Sequence, residues 1–232
     1  RAIELGLISL PGTLSLARKM LFSAFLIASA LLINTYFVTG EFSNATNALI
    51  IGILGGLLGY FYTARPIRLA SRRGLGEIAV FLAFGPLLTL GAYFAIASST
   101  IELFSKEFFN AIYLGIPFGF LTTNILFINQ FPDTVGDAKT GKNHLVVTYG
   151  KKFSRWIYLF FLVSAFISSF FLADLFKGNL IYFNEAAFLI GNGLLFLYGL
   201  SAFINLFKNY NSRDLIFSNL KTIYLQIFFF DI

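Results

Sequence analysis

Three polar side chains recur at intervals of four residues near the middle of the sequence: Asn129, Asp133 and Asp137. Residues four apart lie on one face of a helix, so the amide and both carboxylates can converge on one point. Oxygen ligands of this kind suit Mg²⁺, which binds one or two carboxylates and leaves other positions to water and substrate phosphates. Lys139 and Lys142 follow closely and suit a phosphate as point charges. The pattern predicts a Mg²⁺–diphosphate site at the end of a membrane helix, with all three side chains as metal ligands.

A structural explanation of the same carboxylates stays open. At a membrane boundary they can be solvated, or paired with Lys139 and Arg155, for well under about 1 kcal/mol. Pro132 disfavours helical geometry at Phe131, so a helix broken at the site, with Asn129 out of register, is also consistent with ligand binding. His144 follows in a polar segment, where we expect a solvated surface histidine.

The element that carries these residues is expected to be a membrane helix. The chain is 57% hydrophobic and only 12% charged, against roughly 25% charged in a soluble domain. Crossing a hydrocarbon core of roughly 30 Å requires about 20 apolar residues. Seven segments are candidates, of which the second is short and the seventh carries polar interruptions: Met20–Phe37, Ala48–Tyr62, Ile78–Ser98, Phe108–Ile128, Trp156–Phe176, Ala186–Phe207 and Leu215–Phe230. Alternating segments typical of membrane barrels are absent from the sequence. It therefore predicts an all-α fold, a polytopic transmembrane helical bundle.

The distribution of basic residues supports these spans. Fourteen of the 17 Lys and Arg residues precede the first segment or follow the second, fourth and sixth. The positive-inside rule then places these loops, and the aspartates with them, in the cytoplasm of a multi-pass protein of the cell membrane. Topology also explains most of the net charge of +6 without a nucleic acid partner. The chain has no cysteine, which excludes disulfides and thiolate metal sites.

A loop rich in arginine lies on the same side, between the second and third segments. Arg65, Arg68, Arg72 and Arg73 can serve as topology anchors alone. A diphosphate needs several such donors, however, and Arg65 and Arg68 are close enough in sequence to act together.

Other features favour packing over chemistry. The phenylalanines, which dominate an aromatic content of 19%, are expected mainly at lipid-facing or packing surfaces. Gly52, Gly55, Gly56 and Gly59 form small-x-x-x-small pairs, which predict close helix packing.

With these residues, the chain resembles the UbiA-type intramembrane prenyltransferases. Their second aspartate motif is similar to Asn129-x-x-x-Asp133-x-x-x-Asp137 with the Gly141-Lys142 that follows. Other matching runs resemble the branch that prenylates 1,4-dihydroxy-2-naphthoate in menaquinone synthesis: Tyr62-Thr63, Pro66, Arg73-Gly74-Leu75-Gly76-Glu77 and Phe84-Gly85-Pro86. The segment from Arg1 through Gly6 to Ser9 is similar to the one that follows the family's first aspartate motif.

The resemblance implies nine helices and two aspartate motifs. This sequence offers seven helices and the second motif, so we expect a single transmembrane prenyltransferase domain over residues 1–232 that is incomplete at its N-terminus. The first motif is expected just upstream of Arg1.

The resemblance also implies an activity and roles for residues. An isoprenyl diphosphate, such as geranylgeranyl diphosphate, would ionise at a Mg²⁺ site and alkylate an aromatic acceptor in the lipid bilayer. Asp133 and Asp137 would bind the metal, with Asn129 a metal or phosphate ligand, and Tyr62 would shield the cation or orient the acceptor. The remaining diphosphate ligands would be Arg1, Arg65, Arg68 and Lys142. Dihydroxynaphthoate is the favoured acceptor, while 4-hydroxybenzoate, homogentisate and a glycerol-phosphate lipid stay open.

Two alternatives come from other classes of protein. A transporter would use polar residues within helices, such as Asn34, Asn192 and Asn205, but transport sites tend to lie near the membrane midplane. The other alternative is a different diphosphate-using membrane transferase, such as a CDP-alcohol phosphotransferase. The first part of that family's signature is absent from this sequence.

Overall fold

The structure, a computed structural model, describes residues 6–40, 42–176 and 184–230, without the side chains of residues 174–176. Arg1 therefore lies outside the described residues. These residues form eight helices in chain order: α1 (Leu10–Thr39), α2 (Phe42–Thr63), α3 (Leu75–Phe84), α4 (Pro86–Ile96), α5 (Lys106–Lys139), α6 (Leu145–Phe176), α7 (Glu185–Asn209) and α8 (Leu215–Phe229). A 3-10 turn, Leu69–Ser71, precedes α3. The prediction of an all-α bundle is confirmed, and each of the seven apolar segments is helical.

The third apolar segment is divided at Gly85 into α3 and α4. A Cβ at Gly85 would lie 2.7 Å from the carbonyl oxygen of Gly115 and 2.8 Å from the Cα of Gly119. Only glycine allows the backbone of α5 to come this close. Pro86 then begins α4 at a position where proline's missing N–H is not needed. The break lets α5 pass directly against the α3–α4 junction.

Close packing occurs at these glycines and not at the predicted ones. A Cβ added to Gly52, Gly55, Gly56 or Gly59 would meet no atom within 4 Å. The prediction of close packing at these positions of α2 is wrong for the described residues. Small-residue spacing shows that a helix can approach another one, but it does not show which face does so.

Helix α5 runs well beyond the apolar segment from which it was predicted. Its 34 residues extend about 51 Å at 1.5 Å per residue, and Pro132 lies inside without breaking it. Thr134 Oγ1 donates to the carbonyl oxygens of Gln130 and Phe131, at 2.9 and 2.8 Å. These bonds are ordinary contacts of a threonine with the preceding turn, and they join the residues on either side of Pro132.

The polar stretch between the fourth and fifth apolar segments, residues 129–155, is therefore mostly helical. The chain leaves helical geometry between Lys139 and Leu145 and again at Gly150, where a φ of 77° and a ψ of 154° kink α6. The alternative of a helix broken at Pro132 is wrong, and the aspartate motif lies on a continuous helix.

The bundle packs around α5, which contacts α3, α4, α6 and α8. One buried cluster joins α5 to α6, α7 and α8 and includes Phe127, Tyr158 and Leu206, while a smaller one surrounds Phe94 of α4. Large apolar side chains such as Phe25 and Phe171 point outward. In the part of the chain that the structure describes, six helical segments, with α3 and α4 counted as one, are long and apolar enough to cross a membrane. The fold is a polytopic membrane bundle.

Two of the three asparagines that suggested a transporter, Asn192 and Asn205, have structural partners. Asn192 Nδ2 donates to the carbonyl oxygen of Phe188 at 2.9 Å, and Asn192 Oδ1 accepts from Ser169. Asn205 Nδ2 donates to Ser218 Oγ at 2.8 Å across the α7–α8 pair. These contacts join helix to helix and explain both residues without a transported ligand.

Candidate functional site

The last turns of α5 bring Asn129, Asp133 and Asp137 into one row. Because the helix is unbroken to Lys139, the three side chains follow the spacing of four that stacks residues on one face. Asn129 and Asp133 are exposed. Within the described part of the chain neither makes a side-chain hydrogen bond. The row therefore presents an amide and a carboxylate free to bind a ligand.

Asp137, in contrast, is held on both carboxylate oxygens. Lys142 Nζ lies 2.9 Å from Oδ1, and His144 Nε2 lies 3.2 Å from Oδ2. The chain turns back through Gly141, whose φ of 74° is a left-handed value, and the amide of Lys142 donates to the carbonyl oxygen of Asp137 at 2.9 Å. This turn returns the Lys142 and His144 side chains to the end of α5.

The expectation of a solvated His144 is wrong, because its side chain is only 3% exposed. Its Nδ1 accepts from the amide of Val147 at 3.4 Å, in the first turn of α6. The only signal in the sequence was the glycine turn between Asp137 and His144, which returns the chain on itself. Local composition did not reveal the burial, since the residues before His144 are polar.

Arg155, which was a possible partner of the aspartates, points elsewhere. Its Nη1 donates to the carbonyl oxygen of Phe207 at 2.7 Å. The guanidinium also lies 4.0 Å from the Phe207 ring centroid and 4.5 Å from that of Tyr210. This arginine anchors α6 to the end of α7.

The loop that carries the arginines is hydrogen-bonded to the loop that follows the aspartates. The amide of Asn143 donates to the carbonyl oxygen of Ser71 at 3.1 Å. Glu77, only 2% exposed, accepts from Gln130 Nε2 at 3.0 Å and from the amide of Leu145 at 3.4 Å. Glu77 thus joins the start of α3 to α5 and α6. No role was predicted for Glu77, although a carboxylate in the first turn of an apolar helix could have indicated a buried polar contact.

The four arginines of this loop differ in their surroundings. Arg72 Nε donates to the carbonyl oxygen of Ile67 at 2.6 Å and Nη2 to that of Pro66 at 3.3 Å, so this side chain holds the loop together. Arg65 is exposed and Arg68 half-buried, and neither makes a side-chain hydrogen bond within the described residues. Arg68 also has a left-handed φ of 44°, a backbone state that costs roughly 1–2 kcal/mol outside glycine.

An apolar cavity of about 340 Å³ opens between α2, α3 and α5. Its walls include Tyr62 at the end of α2 and, on α5, Thr122, Ile125 and Leu126. On α5 these positions continue to Asn129 in steps of three and four residues, which keeps them on one face. The cavity therefore lies along the same face of α5 as the aspartates, on the side toward the membrane interior. Its volume falls within the usual range for ligand pockets, about 300–1,000 Å³.

The residues at this end of α5 fit magnesium by their chemistry. Two carboxylates and an amide on one face are hard oxygen donors, the set that Mg²⁺ takes when it leaves positions for phosphate oxygens. Among the described residues, three or more His, Asp or Glu side chains do not gather at one point. Such a sparse donor set suits a metal that arrives with its substrate better than one held by protein ligands alone.

Comparison with known proteins gives a consistent family. The chain matches the UbiA prenyltransferase family over residues 10–218. It is 30% identical over 183 residues to UbiA prenyltransferase domain-containing protein 1 of Dictyostelium discoideum, which covers 79% of this chain and 49% of that protein.

Two further relatives carry a substrate in their names. One is the chloroplastic 2-carboxy-1,4-naphthoquinone phytyltransferase of Arabidopsis thaliana, 36% identical over 109 residues, 46% of this chain and 28% of that protein. The other is the 2-carboxy-1,4-naphthoquinone phytyltransferase of Synechocystis, 32% identical over 110 residues, with 47% and 33% covered. The chain spans half or less of the length of these relatives. No solved structure matches it significantly.

Proposed function

The chain belongs to the UbiA prenyltransferase family, and from this premise we propose that it transfers an isoprenyl group from a diphosphate to an aromatic acceptor within the membrane. The observation that carries the proposal is the continuity of one face of α5. That face runs from an apolar cavity, suited to a hydrocarbon tail, to two carboxylates suited to a metal-bound diphosphate. A molecule with an apolar tail and a charged head matches both ends.

The head group would be bound from two sides. Asp133, Asp137 and Asn129 would hold Mg²⁺, which neutralises charge on the phosphate oxygens when it is bound. Arg65 and Arg68 supply donors from the opposite loop, and Lys142 supplies another from the loop after α5. The hydrogen bond between Asn143 and Ser71 supports this assignment, because it keeps the two loops together. The family resemblance adds Arg1, which lies outside the described residues.

The reaction follows from these charges. The allylic carbon–oxygen bond breaks and its electron pair leaves with pyrophosphate, whose developing charge the arginines and Lys142 stabilise. A ring carbon of the acceptor then forms a bond to the allylic cation, and the ring regains aromaticity by losing a proton, or CO₂ where the attacked carbon bears a carboxylate. Tyr62 lies in the cavity wall, where its ring can shield the cation. The apolar walls exclude water that would otherwise capture the cation.

The names of the relatives favour a naphthalene acceptor. Two of them act, by name, on 2-carboxy-1,4-naphthoquinone. We propose a dihydroxynaphthoate-type acceptor and a role in menaquinone-type quinone synthesis for this chain, with geranylgeranyl diphosphate as a representative donor. We also propose that the aspartates face the cytoplasm, since the basic residues concentrate at their end of the bundle.

A prenyl-transfer assay tests the proposal. Membranes containing the whole protein would receive geranylgeranyl diphosphate, dihydroxynaphthoate and Mg²⁺, with the prenylated product quantified by mass spectrometry. Loss of one metal-binding carboxylate, in Asp133→Asn or Asp137→Asn, is expected to lower kcat/KM by at least about 100-fold.

Asp214→Asn is the matched control, because this aspartate begins α8 without a side-chain capping bond and should leave the rate within about threefold. Product formation that survives both Asp133→Asn and Asp137→Asn would sink the assignment of the site.

A further inference from the structure

We propose that the two partners of Asp137 have separate roles: His144 permanently positions the carboxylate for a divalent cation, and Lys142 is a temporary counter-ion that moves to the diphosphate. The inference rests on the proposed function. It concerns a histidine that the family motif did not suggest and an ion pair that occupies a candidate metal ligand.

The protonation pattern of His144 follows from its two neighbours. Nδ1 accepts a hydrogen bond from the amide of Val147, so Nε2 carries the ring proton and donates a hydrogen bond to Asp137 Oδ2. Both ring nitrogens are hydrogen-bonded and His144 is only 3% exposed. The ring therefore cannot rotate without losing a hydrogen bond that little water is present to replace. The geometry therefore fixes Oδ2 against the imidazole and leaves Oδ1 as the oxygen that can change partner. Groups that orient a ligand carboxylate in this way typically change metal affinity by 10–100-fold.

Lys142 contacts the other oxygen of Asp137, Oδ1, and is far more exposed than His144. Its side chain is 44% exposed, whereas that of Asp137 is 18% exposed, so the ammonium can return to solvent at little cost. An ammonium and a divalent cation compete for the same oxygen, because both are attracted by its charge. A diphosphate arriving with the cation offers Lys142 several new acceptors. The exchange therefore leaves no charge unpaired.

The proposal makes opposite predictions for the two residues. Without diphosphate, His144→Ala should weaken cation binding by about 10–100-fold. Lys142→Gln should strengthen it severalfold, since a competing cation is removed. With inorganic pyrophosphate present, Lys142→Gln should instead weaken retention of the cation–pyrophosphate pair. A histidine with a structural role alone would leave the cation affinity unchanged when it is replaced. A lysine that is a permanent ligand would not change the sign of its effect on cation binding when pyrophosphate is added.

The experiment measures Mn²⁺ binding by electron paramagnetic resonance, with the whole protein in lipid nanodiscs, with and without pyrophosphate. His144→Gln retains an amide donor at the end of its side chain and should recover most of the affinity lost in His144→Ala. It also serves if the alanine variant folds poorly. Lys152→Gln removes an exposed positive charge on α6 and should leave both affinities unchanged.

Several results would overturn the inference. Equal Mn²⁺ affinity in the wild type and His144→Ala would exclude the positioning role, and weaker binding in Lys142→Gln without pyrophosphate would exclude the exchange. Either result would leave prenyl transfer itself standing, because the assay of Asp133 and Asp137 variants decides that separately. A wild type that binds no Mn²⁺ with pyrophosphate would overturn the inference and the proposed metal site together.

Discussion

At the scale of single residues, the arginines of the α2–α3 loop separate into binding and structural roles. Arg65 and Arg68 make no side-chain hydrogen bond among the described residues, whereas Arg72 holds two carbonyl oxygens of its own loop. A hydrogen bond to a charged group contributes about 1.5–3 kcal/mol, and about 1.4 kcal/mol is tenfold in affinity. We expect Arg65→Gln and Arg68→Gln each to raise the KM for the prenyl diphosphate roughly tenfold with an unchanged Tm.

Arg72→Gln provides the contrast within the same loop. It should lower the Tm, measured by heating in detergent, because two backbone carbonyls lose their donor. The assignment of roles would be wrong if Arg65→Gln and Arg68→Gln lowered the Tm as much as Arg72→Gln while leaving KM unchanged.

At the scale of elements, Glu77 connects three helices at the end of the bundle that carries the aspartates. Its carboxylate accepts from Gln130 of α5 and from the amide that begins α6. Glu77→Leu leaves the buried Gln130 amide without an acceptor, which should cost about 1–3 kcal/mol. The double variant Glu77→Leu/Gln130→Leu should be less destabilised than the sum of the single variants, with a coupling of about 0.5–3 kcal/mol. Strictly additive losses in unfolding experiments would show that the contact contributes little.

The break at Gly85 sets the contact between α5 and the α3–α4 pair. The atoms that a Cβ would meet at 2.7–2.8 Å belong to backbone, so Gly85→Ala forces whole helices apart. We expect a loss of about 3 kcal/mol or more, or failure to fold.

Gly52→Ala on the open face of α2 is the matched control for Gly85→Ala. It should be neutral or stabilising by up to about 1 kcal/mol, the difference in helix propensity. Comparable Tm losses for the two variants would contradict this description of the helix crossing.

At the scale of the whole molecule, topology can be tested directly because these 232 residues contain no cysteine. A single cysteine at Asn211, between α7 and α8, should react with a membrane-impermeant maleimide only after the cells are opened. A cysteine at Ser98, between α4 and α5, should react in intact cells. The two positions lie at ends of the bundle separated by an odd number of crossings. Labelling of Asn211→Cys in intact cells would reverse the proposed orientation of the aspartates.

The sequence was sufficient for the features that depend on composition and period. Apolar length located the seven helical segments, and spacing of four located the aspartate row, because both are properties of a single helix. Features that depend on partners were inaccessible. The burial of His144 depends on a turn at Gly141 that returns it to α5, and the close-packed glycines depend on which face α5 meets. Pro132 misled in the same way, since α5 continues through it while packed against α3, α4, α6 and α8.

The apolar cavity beneath the aspartates has a consequence for how occupancy is counted. Each methylene of a hydrocarbon tail favours leaving water by about 0.8 kcal/mol, so a molecule shaped for this cavity resides in the bilayer before it binds. The cavity is lined by residues of helices long and apolar enough to span a membrane, so a molecule enters it from the lipid bilayer. Occupancy is then governed by the number of such molecules per lipid and not per litre of cytoplasm. Adding inert lipid at a constant amount of substrate would lower the mole fraction of substrate in the bilayer, and with it the occupancy of the cavity.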